Sequence, residues 1–314
     1  MSQPMIQTQE LTKVYGDITA VDHLNLTVNE GEIFGFLGPN GAGKTTTILL
    51  LMGLSTPTSG TAMVGGYDVV KNSKEIRKIA GNLPEFAGYY EDLTAKQYLD
   101  YIGQLNDLPR TEREKRITDL LADVGLTKWK DMKVEKFSRG MKQRLGIAQA
   151  LIKNPKIVFL DEPTIGIDPE GTKELRDLIF RLNRDRGLTV FLSSHLLHEV
   201  QLTCSRVGII RQGKLEETAT VEDLTKGLTG KEGKSIEFKL SKVTRELLKE
   251  LKGLEGVTSV TEENDRLYVY MTKDNTKEVS ETITKHGAII LLMKPREYTL
   301  EEVFMKYYEG FKGR

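Results

Sequence analysis

Residues 38–46 read GPNGAGKTT and match G-x-x-x-x-G-K-[ST] from Gly38 to Thr45. Glycines at 38, 41 and 43 let the backbone curl with its N–H groups turned toward a phosphate. A helix opening at Lys44 adds its own N–H groups and the positive end of its dipole. Lys44 is placed to reach the β- and γ-phosphates of a nucleotide as a point charge, and the Thr45 hydroxyl to ligate magnesium. Pro39, Asn40, Gly41, Ala42, Gly43 and Thr46 complete the cradle. EIFGFL ahead of it reads as a buried strand and TTTILLLMGL behind it as a helix, the setting such a loop needs. The loop alone does not say how the nucleotide's energy is used, since kinases, GTPases and motors share it.

A second constellation is IVFLDEP at 157–163, an apolar strand ending in two acids. Asp161 stands where a magnesium partner for the loop belongs, holding the metal through water. Glu162 can accept a proton from an attacking water. FLSSH ends another apolar strand at His195, which on its own reads as a satisfied histidine at a sheet edge. His198 completes an HxxH, but with no HExxH and no cysteine partner it reads as solvent-facing. In KFSRGMKQRLGIAQAL at 136–151, Met141, Leu145, Ala148, Leu151 and Ile152 share one helical face and Ser138 is the N-cap. The first turn is odd for a helix that only packs. Gly140 is a poor helix former, and Arg139, Lys142 and Arg144 crowd positive charge where the dipole already favours an anion.

These groups need a scaffold. The first half of the chain alternates strands (IQTQELTKVY, LNLTVNE, EIFGFLG) with helices; strands return with KIVFL and LTVFLSS, and apolar-rich strands followed by helices predict a parallel sheet covered on both faces. VGIIRQGKLEE reads as a hairpin about a glycine turn, and residues 85–135 as a mostly helical insert in which Ile117, Leu120, Leu121 and Val124 are periodic. A polar, Gly- and Lys-containing stretch near 221–234 marks a linker. Beyond it, 235–314 shows a βαββαβ order of ferredoxin-like type, followed by an amphipathic helix, TLEEVFMKYYEG.

Composition narrows the classes. The 314 residues carry zero formal net charge, with 29% charged and 39% hydrophobic side chains, which fits a soluble globular protein and gives no support for nucleic-acid binding. A single cysteine, Cys204, allows no internal disulfide. MSQPMIQTQELTK lacks the zones of a signal peptide, and the longest apolar run, TILLLMGL, is too short for a membrane span. The expectation is a soluble or peripherally attached chain that forms no pore itself.

FSRGM at 137–141, lying ahead of IVFLDEPT, resembles the LSGGQ-type signature of the ATP-binding-cassette (ABC) ATPases. The likeness runs over roughly residues 1–220 and takes in the phosphate loop, Asp161, Glu162, TIGIDP and His195, each in the family's order. It implies a P-loop NTPase of ABC type over 1–220, with its helical subdomain at about 85–150 and the small α+β domain at 235–314 as an accessory module. It implies ATP and Mg2+, two cassettes paired head to tail as a homodimer or heterodimer, and separate transmembrane permease subunits, with the chain on the cytoplasmic face of the membrane. Ser138, Arg139 and Gly140 would then meet the γ-phosphate of ATP held by the other cassette. His195 would contact the γ-phosphate and orient the water and Glu162. Tyr15 would stack on adenine, and Asp168 would help couple the two sites.

Two departures stand out. Arg139 and Met141 replace the usual Gly and Gln, in a form closer to the YSKGMKQR of bacterial exporters of drugs, antibiotics and bacteriocins. Glu85 occupies the place of a glutamine that senses the γ-phosphate; a carboxylate there could meet magnesium but would repel the phosphate. Phe86, Tyr89 and Tyr90 follow, either as a groove for a membrane partner's helix or as filling between sheet and insert. The expected function is the ATP-hydrolysing subunit of a membrane transporter, with export preferred. The rival is a soluble cassette ATPase acting on ribosomes or nucleic acid, disfavoured by the single phosphate loop and the absence of a heptad insert.

Overall fold

Strands whose residues are buried on both faces build the centre of the first unit. In the computed structural model, which describes residues 3–223, 234–263 and 265–295, the chain divides into two units, Met1–Ala219 and Thr220–Arg314. In the first, β4 (Ile33–Leu37), β7 (Ala80–Leu83), β8 (Ile157–Asp161), β9 (Thr189–Ser194), β10 (Arg206–Arg211) and β11 (Lys214–Thr220) form one sheet in the order β11-β10-β4-β9-β8-β7. The pairings from β10 through β4, β9 and β8 to β7 are parallel. Every residue of β4, β8 and β9 is buried, as a parallel sheet covered on both faces requires. The Phe191 ring lies 5.7, 5.3 and 5.6 Å from those of Phe34, Phe36 and Phe159, packing these three strands across one face.

Because β4, β9, β8 and β7 run the same way, their C-terminal ends share one edge. There β4 feeds the 38–43 loop, β8 ends at Asp161, β9 leads to His195 and β7 to Glu85. The edge outside the carboxyl ends of parallel strands is where α/β sheets bind ligands.

A second, antiparallel sheet comprises β1 (Pro4–Tyr15), β2 (Ile18–Leu24), β3 (Thr27–Asn29), β5 (Ser59–Val64) and β6 (Tyr67–Asp68), in the order β2-β1-β5-β6 with β3 also on β1. Helix α1 (Lys44–Leu51) follows the phosphate loop, and α2 (Ser73–Ile79) precedes β7. The insert holds α3 (Ala95–Leu105) and α4 (Arg110–Asp123) and returns through α5 (Arg139–Leu151). Thr94 and Gln97 close a reciprocal capping box on α3. Arg113 Nε donates to Asp100 Oδ1 at 2.5 Å, tying α4 to α3. The aromatic cluster is not uniform. Tyr89 fills the junction, its hydroxyl donating to Lys142 O at 2.8 Å and its ring 5.5 Å from Tyr98, whereas Phe86 is 82% exposed and Tyr90 55%. Burial raises the phenols of Tyr89 and Tyr98, the latter to about 12. Helices α6 (Pro169–Arg186) and α7 (Leu197–Thr203) complete this unit.

The second unit follows the ferredoxin-like order. β12 (Lys234–Leu240), α8 (Arg245–Gly253), β13 (Val257–Glu263), β14 (Arg266–Met271), α9 (Thr276–Lys285) and β15 (Ile290–Pro295) give a four-stranded sheet ordered β13-β14-β12-β15. Phe238, Val269 and Met271 of the sheet pack with Leu247 and Leu251 of α8 and Val279 and Ile283 of α9. The predicted helix at 299–310 and most of the predicted linker lie outside the described residues. Among the described residues no helix is long and apolar enough to cross a membrane.

Candidate nucleotide-binding and catalytic site

The loop from Gly38 to Gly43 is shaped by what surrounds it. Gly43 sits at φ 108°, and a β-carbon there would stand 2.3 Å from Ala20 O, so only glycine fits. Gly38 needs glycine for close approach alone, since its β-carbon would meet Ile210 O at 2.4 Å. Two N–H groups of the cradle have partners within the protein: that of Gly38 donates to Ser194 O at 3.2 Å, continuing the sheet's pairing, and that of Ala42 to Pro39 O at 3.2 Å. The N–H groups of the first turn of α1 lack intrahelical partners, as a helix start that binds an anion requires.

Lys44, 6% exposed, donates from Nζ to Gly38 O at 2.7 Å and Pro39 O at 3.1 Å. The same ammonium lies 3.1 Å from Glu162 Oε1 in a buried ion pair. The other carboxylate oxygen, Glu162 Oε2, is 2.8 Å from His195 Nδ1. With the carboxylate accepting, Nδ1 carries the proton of that bond and Nε2 takes no part in it. Glu162 itself has φ 48°, a left-handed conformation that costs a non-glycine residue and that clusters at functional positions. Its N–H, directed at Ser193 O and Ser193 Oγ, both at 3.2 Å, fixes that conformation. Beside it, Thr45 Oγ1 donates to Asp161 Oδ2 at 2.7 Å, and Ser193 Oγ donates to Asp161 Oδ1. A hydroxyl and a carboxylate side by side, with Asp161 2% exposed, form the hard-oxygen pair that suits magnesium. Among the described residues no group of three or more His, Cys, Asp or Glu could hold a metal, so such an ion would draw its remaining ligands from phosphate and water.

A cavity of about 540 Å³ collects Asn40, Gly41, Gly43, Lys44, Thr45, Thr46, Glu85 and Glu162. Its remaining walls are Ile18, Thr19, Ala20 and Gln212, which sequence reasoning did not pick out. The signal for Gln212 was the hairpin turn it occupies; Gly213, next to it, donates to Ala42 O at 2.9 Å and brings that turn onto the loop. Tyr15 is not in this lining. It is 47% exposed, its hydroxyl is 3.2 Å from Ser55 Oγ and its ring lies under the Lys13 ammonium at 4.7 Å. Ser138, Arg139 and Gly140 stand apart from Lys44, in a second cavity of about 400 Å³ with Gly166, Ile167 and Asp168. Ser138 caps α5, its Oγ accepting from Met141 N at 3.3 Å. Asp168 caps α6, accepting from Gly171 N at 3.0 Å. α5 is buried on more than the predicted face, with Gly146, Ile147 and Ala150 inside as well as Leu145, Ala148 and Leu151, while Met141 is only half-buried. His198 is exposed, as expected.

The family model described as ABC transporter matches residues 21–165. The bacitracin transport ATP-binding protein BcrA of Bacillus licheniformis is 39% identical over 306 residues, covering 98% of both chains. The chain belongs to the ABC transporter ATP-binding proteins. The linearmycin resistance ATP-binding protein LnrL of Bacillus subtilis (strain 168) is 34% identical, over 96% of this chain and 97% of its own. A solved dimeric ABC cassette, MJ0796 in a post-hydrolysis state bound to ADP and Pi, superposes with a TM-score of 0.62 at 26% identity, over 69% of this chain and 99% of that one. The ABC protein is therefore an ATP-binding, ATP-hydrolysing transporter subunit.

Proposed function

We propose that this ABC subunit powers export of an antibiotic-like compound from the cytoplasmic face of the cell membrane, where it is held by separate membrane-spanning subunits. The observation that carries the reading is the extent of the match to BcrA. At 306 residues it takes in the C-terminal unit as well as the cassette, so the likeness to a bacitracin transport protein is one of whole architecture. The exporter-like FSRGMKQR supports the same direction.

In this reading ATP binds across the 38–46 loop, with Lys44 moving from the loop carbonyls onto the β- and γ-phosphates. Thr45 and Asp161 would hold Mg2+, which when bound offsets negative charge on the phosphates. Glu162 takes a proton from the water that attacks the γ-phosphorus, and ADP and inorganic phosphate leave. His195 keeps the Glu162 carboxylate aimed and uses Nε2 toward the γ-phosphate. Ser138 and Gly140 of one cassette close on the nucleotide of the other. Glu85, on the wall of the same cavity, gives a carboxylate where the family's glutamine would stand, and its repulsion of the γ-phosphate favours release after hydrolysis.

Affinity purification of the chain from gently solubilised native membranes tests this. A polytopic membrane protein at stoichiometric yield, and an ATPase rate in the purified assembly that changes on adding a peptide antibiotic, are expected. Ribosomal proteins or nucleic acid in place of a membrane protein would overturn it.

A further inference from the structure

Three cations crowd the start of α5, and the structure treats one of them differently. Lys142 Nζ is 2.6 Å from Glu91 Oε1, and Arg144 Nη1 is 3.2 Å from Glu174 Oε2. Arg139 instead lies on the loop that follows β8. A β-carbon placed on Gly166 would stand 2.6 Å from Nη1, 2.7 Å from Cζ and 2.9 Å from Nε of Arg139. Three atoms of one planar group at nearly equal distance from one point mean that the flat face of the guanidinium rests against Gly166. Gly166 has φ +69° and so suits glycine on backbone grounds as well. The bare α-carbon and the flat cation fit each other, and neither a side chain at 166 nor a lysine at 139 would reproduce the contact.

The loop under Arg139 begins at the proposed general base. Ile165 N donates to Glu162 O at 3.2 Å and Ile167 N to Thr164 O at 3.2 Å, so Glu162 and Gly166 are joined by two successive tight turns with little slack. The helix that carries Arg139 starts at Ser138, which addresses the nucleotide of the other cassette.

We propose that Arg139 is a positioning residue, a strut that ties the Glu162–Asp168 loop to the first turn of α5 so that contact with the partner's nucleotide is transmitted to the carboxylate acting on this cassette's own. The inference rests on the head-to-tail reading given above. It assigns Arg139 a task within its own cassette, and a physical reason why arginine stands where the family's pattern has glycine.

The test is a cycle of Arg139→Ala, Gly166→Ala and the double variant in the purified full-length chain. Steady-state ATPase and nucleotide affinity are measured for each, with Arg139→Lys as a control that keeps the charge and loses the plane. Arg139→Ala is expected to lower kcat about tenfold with the thermal midpoint unchanged, a loss typical of slight misplacement of a reacting group, and the cycle with Gly166→Ala separates it from a loss of direct phosphate contact. Arg139→Lys should not restore the rate. Gly166→Ala should also lower kcat, and the double variant should fall about as far as one single variant, because both remove the same contact. Independent, multiplying losses, or Arg139→Ala at the parent kcat, would overturn the strut while leaving the ATPase reading intact. A parent chain without ATPase activity would overturn the reading on which the strut rests. If Gly166→Ala does not fold, Arg139→Ala and Arg139→Lys decide alone.

Discussion

His195 Nδ1 and Glu162 Oε2 lie 2.8 Å apart, each one residue past the end of its own strand. The register explains the meeting. Asp161 pairs with Ser193 across β8 and β9, so Glu162 lies one residue and His195 two beyond the last ladder pair, and their side chains meet just outside the sheet edge. The carboxylate is thereby held by an imidazole on one side and by Lys44 at 3.1 Å on the other.

His195→Ala should lower kcat about a hundredfold, within the range for a group that assists proton transfer, and leave ATP affinity nearly unchanged. Steady-state kinetics beside equilibrium nucleotide titration measures both. A variant that loses affinity and keeps kcat would mean that the histidine only binds.

Lys44→Ala should cost the nucleotide-free protein about 3 kcal/mol, because it leaves the Glu162 carboxylate buried without its cation. Both side chains are 6% exposed. Adding Glu162→Gln should recover most of that loss, although neither variant hydrolyses ATP. Denaturant unfolding of the two variants and the double measures the coupling; purely additive losses would show that the pair contributes no net attraction.

Thr45→Val keeps the shape of the side chain and removes the hydroxyl that donates to Asp161 Oδ2. The magnesium concentration for half-maximal ATPase should rise about tenfold or more. Titrating the ATPase rate against magnesium checks this, and an unchanged midpoint would take Thr45 out of the metal site.

The helical insert carries a pH-dependent tie. The Arg113 hydrogen bond, with Gln104 assisting against the opposing effect of burial, holds the Asp100 carboxylate below its ordinary value of 3.8. A carboxyl group depressed in the folded state adds stability above its unfolded value and loses it as pH falls toward the folded one. Asp100→Asn should therefore lower the thermal midpoint at pH 6, by the equivalent of about 1 kcal/mol or less for so exposed a pair. Its deficit against the parent should shrink below pH 3.8. A deficit that is the same at both pH values would mean the loss is packing, not charge.

The chemistry was legible in the sequence where a residue's type and its strand-end position are the same signal. Lys44, Thr45, Asp161 and Glu162 follow apolar runs whose parallel pairing puts them on one edge. The ferredoxin-like order of the second unit was legible for a similar reason, since β14 alternates and both helices bury residues at three- and four-residue spacing. Contacts made by close approach were not legible. The hairpin turn at Gln212 was legible, but nothing local says that Gly213 beside it bonds the phosphate loop, or that the Arg139 guanidinium lies on Gly166. Short elements also escaped. β2 alternates imperfectly and is half-exposed at its start, and β6 is two residues long; both owe their form to cross-strand partners.

Glu162→Gln tests the central claim most directly. In the purified full-length chain with ATP and magnesium, light scattering after size exclusion, together with phosphate release, reads assembly and hydrolysis at once. The variant should bind ATP, accumulate as an ATP-bound pair of cassettes, and hydrolyse about a thousandfold more slowly than the parent. A variant that hydrolyses at the parent rate and forms no ATP-dependent pair would contradict it.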